Sequence, residues 1–394
     1  MSIAFDAILT IPATLTTNLY DSFSRVTKPT PKLKDQDHED DILRKCTLRL
    51  DTGNPLTHTI PTQSGHSRTL SYAQFGSPSP TAKTIFFLHG WPGSRIEGTW
   101  LDAPALAQNI RIIAVDRPGT GLSTPDEHRT ILSHATEDIS QLAAHLGAET
   151  YGVLGVSGGG PYALACAKAL APTQLKAVGI VCGLGPSEIG YRGMFLPNYL
   201  GWTYATHITS NFVAWNFSRE PQFRLDLPVS ERLSMMRKAY ESSATPRLWG
   251  WNKMPAKDVE IFDNEDVRMV QVCTAREVMR QGGGSMRWMM QDMKLLASDL
   301  GFDVRDVRKD LQVRMWYGRE DGNVPLQHGI QVARRLRTVE ERMAVQDGEG
   351  NGKDGEGIGG ERVCLKIVDG ETHASIFFDF REEVLREMGK AMDL

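Results

Sequence analysis

One segment constrains this chain more than any other. An apolar run, Tyr151–Val156, ends in Gly155-Val156-Ser157-Gly158-Gly159, and a helical pattern, Pro161–Leu170, follows at once. A serine on so sharp a strand-to-helix turn has strained backbone dihedrals, so the positions beside it must be small. The turn lifts the hydroxyl above the strand ends and aims the first free N–H groups of the helix at the same point. Pro161 suits the start of that helix, where its missing N–H costs nothing. A dinucleotide fingerprint is the rival reading, since Gly158, Gly160 and Ala163 fit its spacing. That motif needs an acid at the end of the next strand. Leu175–Gly183 carries none, and the next acid is Glu188, so the nucleotide reading is set aside.

The rest of the chain alternates in a way that places this turn. Cys46–Asp51 and Arg68–Phe75 read as strands on either side of a Gly53-Asn54-Pro55 loop. Thr84–Leu88, Ile110–Val115, Tyr151–Val156 and Leu175–Cys182 are compact apolar runs of the kind buried on both faces of a parallel sheet. Helical patterns at Leu132–Leu146 and Pro161–Leu170 lie between them. The fold expected is therefore α/β, a mostly parallel sheet flanked by helices. The alternation stops at Gly183. Residues 185–310 show helical periodicity, with candidates at Ser230–Ser242, Asp266–Gln281 and Ser285–Ala297, before Val313–Tyr317 and Val363–Val368 resume the strand pattern. The division expected is an N-terminal extension over 1–45, a first core part over 46–184, a helical cap inserted over 185–310 after the sixth core strand, and a second core part over 311–394. Residues 347–361 are a flexible surface loop on this reading: seven of the fifteen are Gly and most of the others are charged.

A serine hydroxyl needs a base and a place to put negative charge. Phe86-Phe87-Leu88-His89-Gly90-Trp91-Pro92 is a strand leaving into a tight loop. With the elbow downstream, the loop supplies a second oxyanion donor, the N–H of Trp91, beside that of Gly158; Pro92 has no N–H to offer. His89 ends the strand and is expected to be structural. Among ten histidines, His373 follows the last strand, at the carboxyl edge where α/β sites assemble, and is the candidate base. Asp321 follows Val313–Tyr317 and is the candidate acid that orients it, with neighbouring Glu320 and the earlier Glu188 as competitors. The chain order Ser157, Asp321, His373 is that of the elbow architecture. Asp116-Arg117-Pro118-Gly119 reads as a structural turn lining the entrance.

These segments together, LHGWPGS, DRPGTGLS, GVSGGGPYALA, YGREDGNVP and the late His373, resemble the α/β-hydrolase superfamily in its cap-bearing branch, from about residue 68 onward. The resemblance implies an α/β-hydrolase fold with a helical lid and a Ser157–His373–Asp321 triad. The His-Gly-Trp-Pro loop also resembles that of epoxide hydrolases, which carry an aspartate at the elbow; here the position is Ser157, which counts against that activity. The expectation is a cofactor-free and metal-free serine hydrolase cleaving an ester, thioester or lactone of an apolar small molecule. A C–C hydrolase or aminopeptidase on the same triad, and a non-hydrolytic binding protein or cofactor-free cyclase, are the alternatives.

Composition narrows the partners. A net charge of −4 without a basic stripe excludes a nucleic-acid surface. Five cysteines with no CxxC argue against a disulfide framework and a zinc site, and fit a reducing, cytoplasmic setting. No apolar run reaches the roughly 18 residues a membrane span needs. The N-terminal MSIAFDAILTIPATLTTNLYDSF has its first basic residue at Arg25, so neither a secretory signal nor a transit peptide is expected. It reads as packing on the parent domain or disorder, with a membrane-surface helix as the alternative. The cap holds five of the eight tryptophans, Trp202, Trp215, Trp249, Trp251 and Trp288, and methionines 286, 289, 290 and 293. Most of these are expected to pack the cap on the core; the others suit an adaptable apolar pocket.

Overall fold

The computed structural model describes residues 56–61, 67–204, 210–241, 254–338 and 362–394. The N-terminal extension, the strand expected at Cys46–Asp51, Trp249, Trp251 and the Gly-rich segment 347–361 lie outside them.

Among the described residues, eight strands form one sheet: β1 (Leu56–Pro61), β2 (Ser67–Gly76), β3 (Lys83–Leu88), β4 (Ile110–Val115), β5 (Tyr151–Val156), β6 (Leu175–Val181), β7 (Gln312–Gly318) and β8 (Val363–Val368). Their order is β1-β2-β4-β3-β5-β6-β7-β8. β1 pairs antiparallel with β2 and β2 with β4, and every later pairing is parallel. β1 lies beyond the loop at which a strand break was expected and was not itself expected. The apolar runs of β3 to β6 reflect burial on both faces, whereas β8, last in the sheet order, alternates buried and half-buried residues and carries Lys366. Successive residues belong alternately to two cores: Phe86, Leu88, Ile113, Val115 and Val153 pack on one face, Ile85, Phe87, Ile112, Ala114 and Leu154 on the other. Each large side chain so buried contributes about 1.5–3 kcal/mol.

The helices used below are α1 (Asp102–Ala107), α2 (Gly160–Ala169), α3 (Leu196–Tyr204), α4 (Ser210–Phe217), α5 (Val229–Glu241), α6 (Ala256–Asp263), α7 (Glu265–Arg280), α8 (Arg287–Leu296), α9 (Gln327–Leu336) and α10 (Arg381–Ala391). The helix expected over Leu132–Leu146 is present from Ile131 to His145, but its middle, His134–Ile139, is π-helical. Between β6 and β7 the described residues form helices and turns only, α3 to α8 among them. α3, α4 and α6 were not expected. All three are only eight or nine residues long, too few turns to display the one-sided stripe that marks an amphipathic helix.

This topology sets up the site. The strands β4, β3, β5, β6, β7 and β8 are neighbours in that order and run in the same direction. Their carboxyl ends, and the loops that follow them, therefore meet along one edge.

Candidate active site

Each expected site residue follows one of those parallel strands. Ser157 comes directly after β5 and takes a left-handed φ of 53°, a conformation costing roughly 1–3 kcal/mol for a residue with a side chain. The neighbouring glycines make that turn possible. A Cβ on Gly155 would lie 2.4 Å from Gly159 O, and one on Gly159 would lie 2.1 Å from Leu88 O. The elbow therefore packs against both its own helix and the end of β3 with no room for a side chain.

The three polar residues are brought together. His373 Nε2 lies 3.0 Å from Ser157 Oγ, and His373 Nδ1 lies 2.7 Å from Asp321 Oδ2. A carboxylate only accepts, so Nδ1 carries the proton and Nε2 is left to accept from the serine hydroxyl. Asp321 is itself fixed, because its Oδ1 accepts from the N–H groups of Asn323 and Val324, both at 2.8 Å. The competing acids are elsewhere: Glu320 is exposed, and Glu188 pairs with Arg335 at 2.5 Å. Burial works against a charged His373, but the Asp321 carboxylate outweighs it and raises the imidazole well above its ordinary range.

The two expected oxyanion donors are adjacent. A Cβ on Gly158 would lie 2.8 Å from Trp91 Cβ and 3.0 Å from Trp91 N, so their backbones touch. A Cβ on Gly90 would stand 3.9 Å from Ser157 Oγ, which brings the loop over the hydroxyl. His89 is buried, its Nδ1 lies 2.9 Å from Gly90 O, and burial, with Arg117 beside it, drives its pKa well below the usual value.

Four features were not expected. The first is Arg117, which donates to His89 O at 2.8 Å and to Gly90 O at 2.6 Å. It clamps the carbonyls just before the Trp91 N–H. Its guanidinium is held in turn by Asp292 of α8, 2.9 Å from Nε. Asp292 also accepts from Arg129 at 3.0 Å and from the Tyr162 hydroxyl of α2 at 2.6 Å. Burial would raise the Asp292 carboxyl, yet Arg117 and Arg129 hold it far below the carboxylate range. Through this arginine the DRPG turn is tied to the site.

The second feature is Cys182, which directly follows β6 at a φ of 41°. Its Sγ lies 4.0 Å from His373 Nε2 and 3.5 Å from His373 O. Burial pushes this thiol up, and the nearby His373 only partly offsets it. Cys182, Asp321 and His373 form the one group among the described residues whose donor atoms, within 4.8 Å of one another, suit a metal ion. Those are the atoms of the hydrogen-bond chain itself, and a soft cation on Nε2 would displace the serine hydroxyl.

The third is Glu97, partly buried beneath the loop. It accepts from Gly90 N at 3.4 Å, and burial pushes its carboxyl up to about 8.

The fourth is how the helical insertion meets the site. It makes polar contact with the loops after β3, β7 and β8. Trp91 Nε1 donates to Met289 O at 2.9 Å. Phe195 N donates to Gly322 O and Asn198 Nδ2 to Asn323 Oδ1, both at 2.7 Å. Lys257 Nζ reaches Glu371 Oε1 at 2.6 Å, and Asp258 accepts from Thr372 Oγ1.

The aromatic lining is narrower than the composition suggested. The ring of Trp91 makes edge contacts with Trp202 and Phe217, centroids 5.2 and 5.5 Å apart. Trp288 instead covers Gly119, where a Cβ would lie 2.6 Å from its own. Trp215 stacks under Arg219. Met286, Met289, Met290 and Met293 are buried in the main core. Packing therefore accounts for most of these residues, as expected.

Comparison with known proteins gives the same outline. Residues 85–386 match the family described as the alpha/beta hydrolase family. A soluble epoxide hydrolase of Corynebacterium sp. (strain C12) is 36% identical over 99 residues, 24% of this chain and 31% of that one. A dihydrolipoyllysine-residue acetyltransferase component of the acetoin cleaving system of Pseudomonas putida is 30% identical over 134 residues, 34% and 35% of the two chains. The chain thus spans about a third of the length of the curated relatives it matches. Among solved structures, bromoperoxidase from Bacillus anthracis superposes with a TM-score of 0.54 at 15% identity, covering 85% of this chain and all of the other. A structure from work on carboxylesterases of Nitrososphaera gargenis gives 0.53 at 14% identity, over 86% of this chain. At such identities the likeness is one of fold. No helix among the described residues is long and apolar enough to cross a membrane.

Proposed function

The chain belongs to the alpha/beta hydrolase family, and we propose that within it this protein is a serine hydrolase that cleaves an ester, thioester or lactone of an apolar small molecule through an acyl-enzyme. The observation that carries the reading is the unbroken chain Ser157 Oγ–His373 Nε2–His373 Nδ1–Asp321, at 3.0 and 2.7 Å.

On this reading His373 takes the Ser157 proton as the hydroxyl attacks the acyl carbon, and Asp321 stabilises the imidazolium that forms. The negative charge that builds on the carbonyl oxygen falls between the N–H groups of Gly158 and Trp91, donors fixed before the reaction begins. The imidazolium then protonates the leaving alcohol or thiol. A water activated by the same histidine releases the acid. Gly158 and Trp91 act through backbone atoms, so the loop under them has to be stiff; Arg117 supplies that stiffness. Epoxide opening through a covalent carboxylate needs an acid at the elbow, and Ser157 does not provide one.

The helices between β6 and β7 act as a cap. Their aromatic residues Trp202 and Phe217, packed on Trp91, give the acyl or alcohol group an apolar wall. The test is hydrolysis of a p-nitrophenyl ester series by wild type, Ser157→Ala and His373→Ala. Turnover of the longer esters that is lost in both variants supports the reading. Turnover that survives Ser157→Ala contradicts it.

A further inference from the structure

The loop that carries His373 is gripped from outside the core sheet. We propose that Asp258, a residue of the helical insertion, is a positioning residue that holds His373 in register with Ser157 and Asp321. The inference rests on the serine-hydrolase reading of the site.

Asp258 lies in the first turn of α6 and is 3% exposed. Its Oδ1 accepts from Thr372 Oγ1 and from Ala374 N at 3.3 Å. These are the residues immediately before and after His373, so one carboxylate oxygen spans the histidine. The loop closes on itself around the same point: Ser375 Oγ accepts from Thr372 N at 2.8 Å and lies 2.9 Å from Thr372 Oγ1. One residue further out, Lys257 pairs with Glu371 at 2.6 Å. Adjacent residues of α6 therefore anchor three of the four positions from Glu371 to Ala374. The fourth is His373, whose ring is left to Ser157 and Asp321.

Placement at this scale matters, because a shift of about 1 Å in a catalytic group can cost on the order of 10²-fold in rate. Asp258 also brings a charge close to the imidazole. The groups around His373 are Asp321 at Nδ1, Cys182 and Ser157 at Nε2, and Asp258 across the Thr372–Ala374 backbone. Lys257, Glu371 and Asp379 stand at the outer end of the clamp. Burial raises the Asp258 carboxyl, while Thr372, His373 and Ala374 draw it down.

Two pairs of variants separate positioning from packing. Asp258→Asn keeps an acceptor oxygen and loses the charge; Asp258→Ala loses both. Thr372→Ser keeps the hydroxyl donor; Thr372→Val removes it without touching α6. Each is measured for kcat and KM on a p-nitrophenyl ester across pH and for the proton NMR signal of His373 Nδ1–H. The expectation is a 10–100-fold fall in kcat for Asp258→Ala and Thr372→Val, with KM within a few-fold. Thr372→Ser should stay near wild type. Asp258→Asn should keep most of its kcat and move the acidic limb to lower pH, since one negative charge beside the imidazolium is gone. In both disabling variants the Nδ1–H signal should shift or broaden.

Wild-type kcat in Asp258→Ala, or equal losses in Asp258→Asn and Asp258→Ala with an unmoved acidic limb, would overturn the assignment. Thr372→Val decides the matter if Asp258→Ala does not fold. Ser157→Ala distinguishes the two readings. If it retains turnover, the serine mechanism fails by itself, and the Nδ1–H signal still sustains or overturns the role of Asp258.

Discussion

The indole N–H of Trp91 donates to the backbone carbonyl of Met289 at 2.9 Å. Trp91 belongs to the loop after β3 and Met289 to α8, so a residue whose backbone packs on Gly158 is tethered by its side chain to the insertion. Asp292, one turn along α8, holds Arg117, and Arg117 holds the two carbonyls before Trp91. The loop after β3 and α8 are thus one hydrogen-bonded unit.

Removing the charge at the centre of that unit should weaken both folding and catalysis. Asp292→Ala leaves Arg117 and Arg129 buried without a counter-ion, which typically costs about 3–5 kcal/mol. A lower Tm in thermal unfolding, together with a lower kcat on any accepted ester, is the expected outcome. A variant with unchanged Tm would mean that the network bears no load.

Neighbouring glycines of the elbow should fail in different ways. Gly159→Ala drives a Cβ to 2.1 Å from Leu88 O, a clash with sheet backbone, and should reduce soluble, folded protein. Gly158→Ala meets Trp91 at 2.8 Å and should push apart the two donors. Losing one such donor costs on the order of 10²–10³ in kcat. Circular dichroism and steady-state kinetics on both variants distinguish the two outcomes.

Activity should rise with pH along the titration of His373, because only the neutral imidazole accepts the serine proton. Asp321 raises that pKa against the effect of burial, so the midpoint of kcat/KM should lie above the ordinary histidine value of about 6.5. Asp321→Asn should cut kcat by about 10⁴, as loss of the correct tautomer does in such triads. A midpoint at or below the ordinary value would contradict the geometry around Nδ1.

Substrate length should be read by Trp202 and Phe217, the rings packed on Trp91. Each buried methylene contributes about 0.8 kcal/mol, or about fourfold in kcat/KM. In wild type, kcat/KM should therefore climb from acetate to longer esters. Trp202→Ala should flatten or displace that climb, whereas Trp288→Ala, which uncovers Gly119, should leave the preference in place. The opposite pattern would put the pocket on the other side of α8.

Much of this was legible in the sequence because each signal is local. Parallel strands buried on both faces are apolar over most of their length, so β3 to β6 stand out as runs, while β7 and β8, which carry Arg314 and Lys366, are weaker signals. A serine between glycines at a strand-to-helix junction points to a strained, exposed hydroxyl and to little else. The sequence favours Asp321 but leaves Glu320 beside it as a competitor: both follow β7, and in the fold one residue of register turns Asp321 inward and Glu320 to solvent. What stayed hidden depends on contacts between distant segments. Asp258 and Asp292 look like ordinary acids of surface helices until α6 and α8 are laid against the loops after β8 and β3. Cys182 read as the end of an apolar strand, and only the sheet order, which puts β6 beside β5, brings it to His373. Composition does not say which way a ring faces, so it left open which aromatics pack, as Trp288 does on Gly119, and which meet the loop after β3, as Trp202 does.

The central claim is that Ser157 becomes covalently bonded during turnover, with His373 making it nucleophilic. Intact-mass and peptide mass spectrometry after treatment with a fluorophosphonate test this directly. The expected result is one phosphonyl adduct, on the peptide containing Ser157, formed in wild type at a rate that rises with pH, absent in Ser157→Ala and strongly slowed in His373→Ala. An adduct on another residue, or equal labelling of wild type and His373→Ala, would contradict the account.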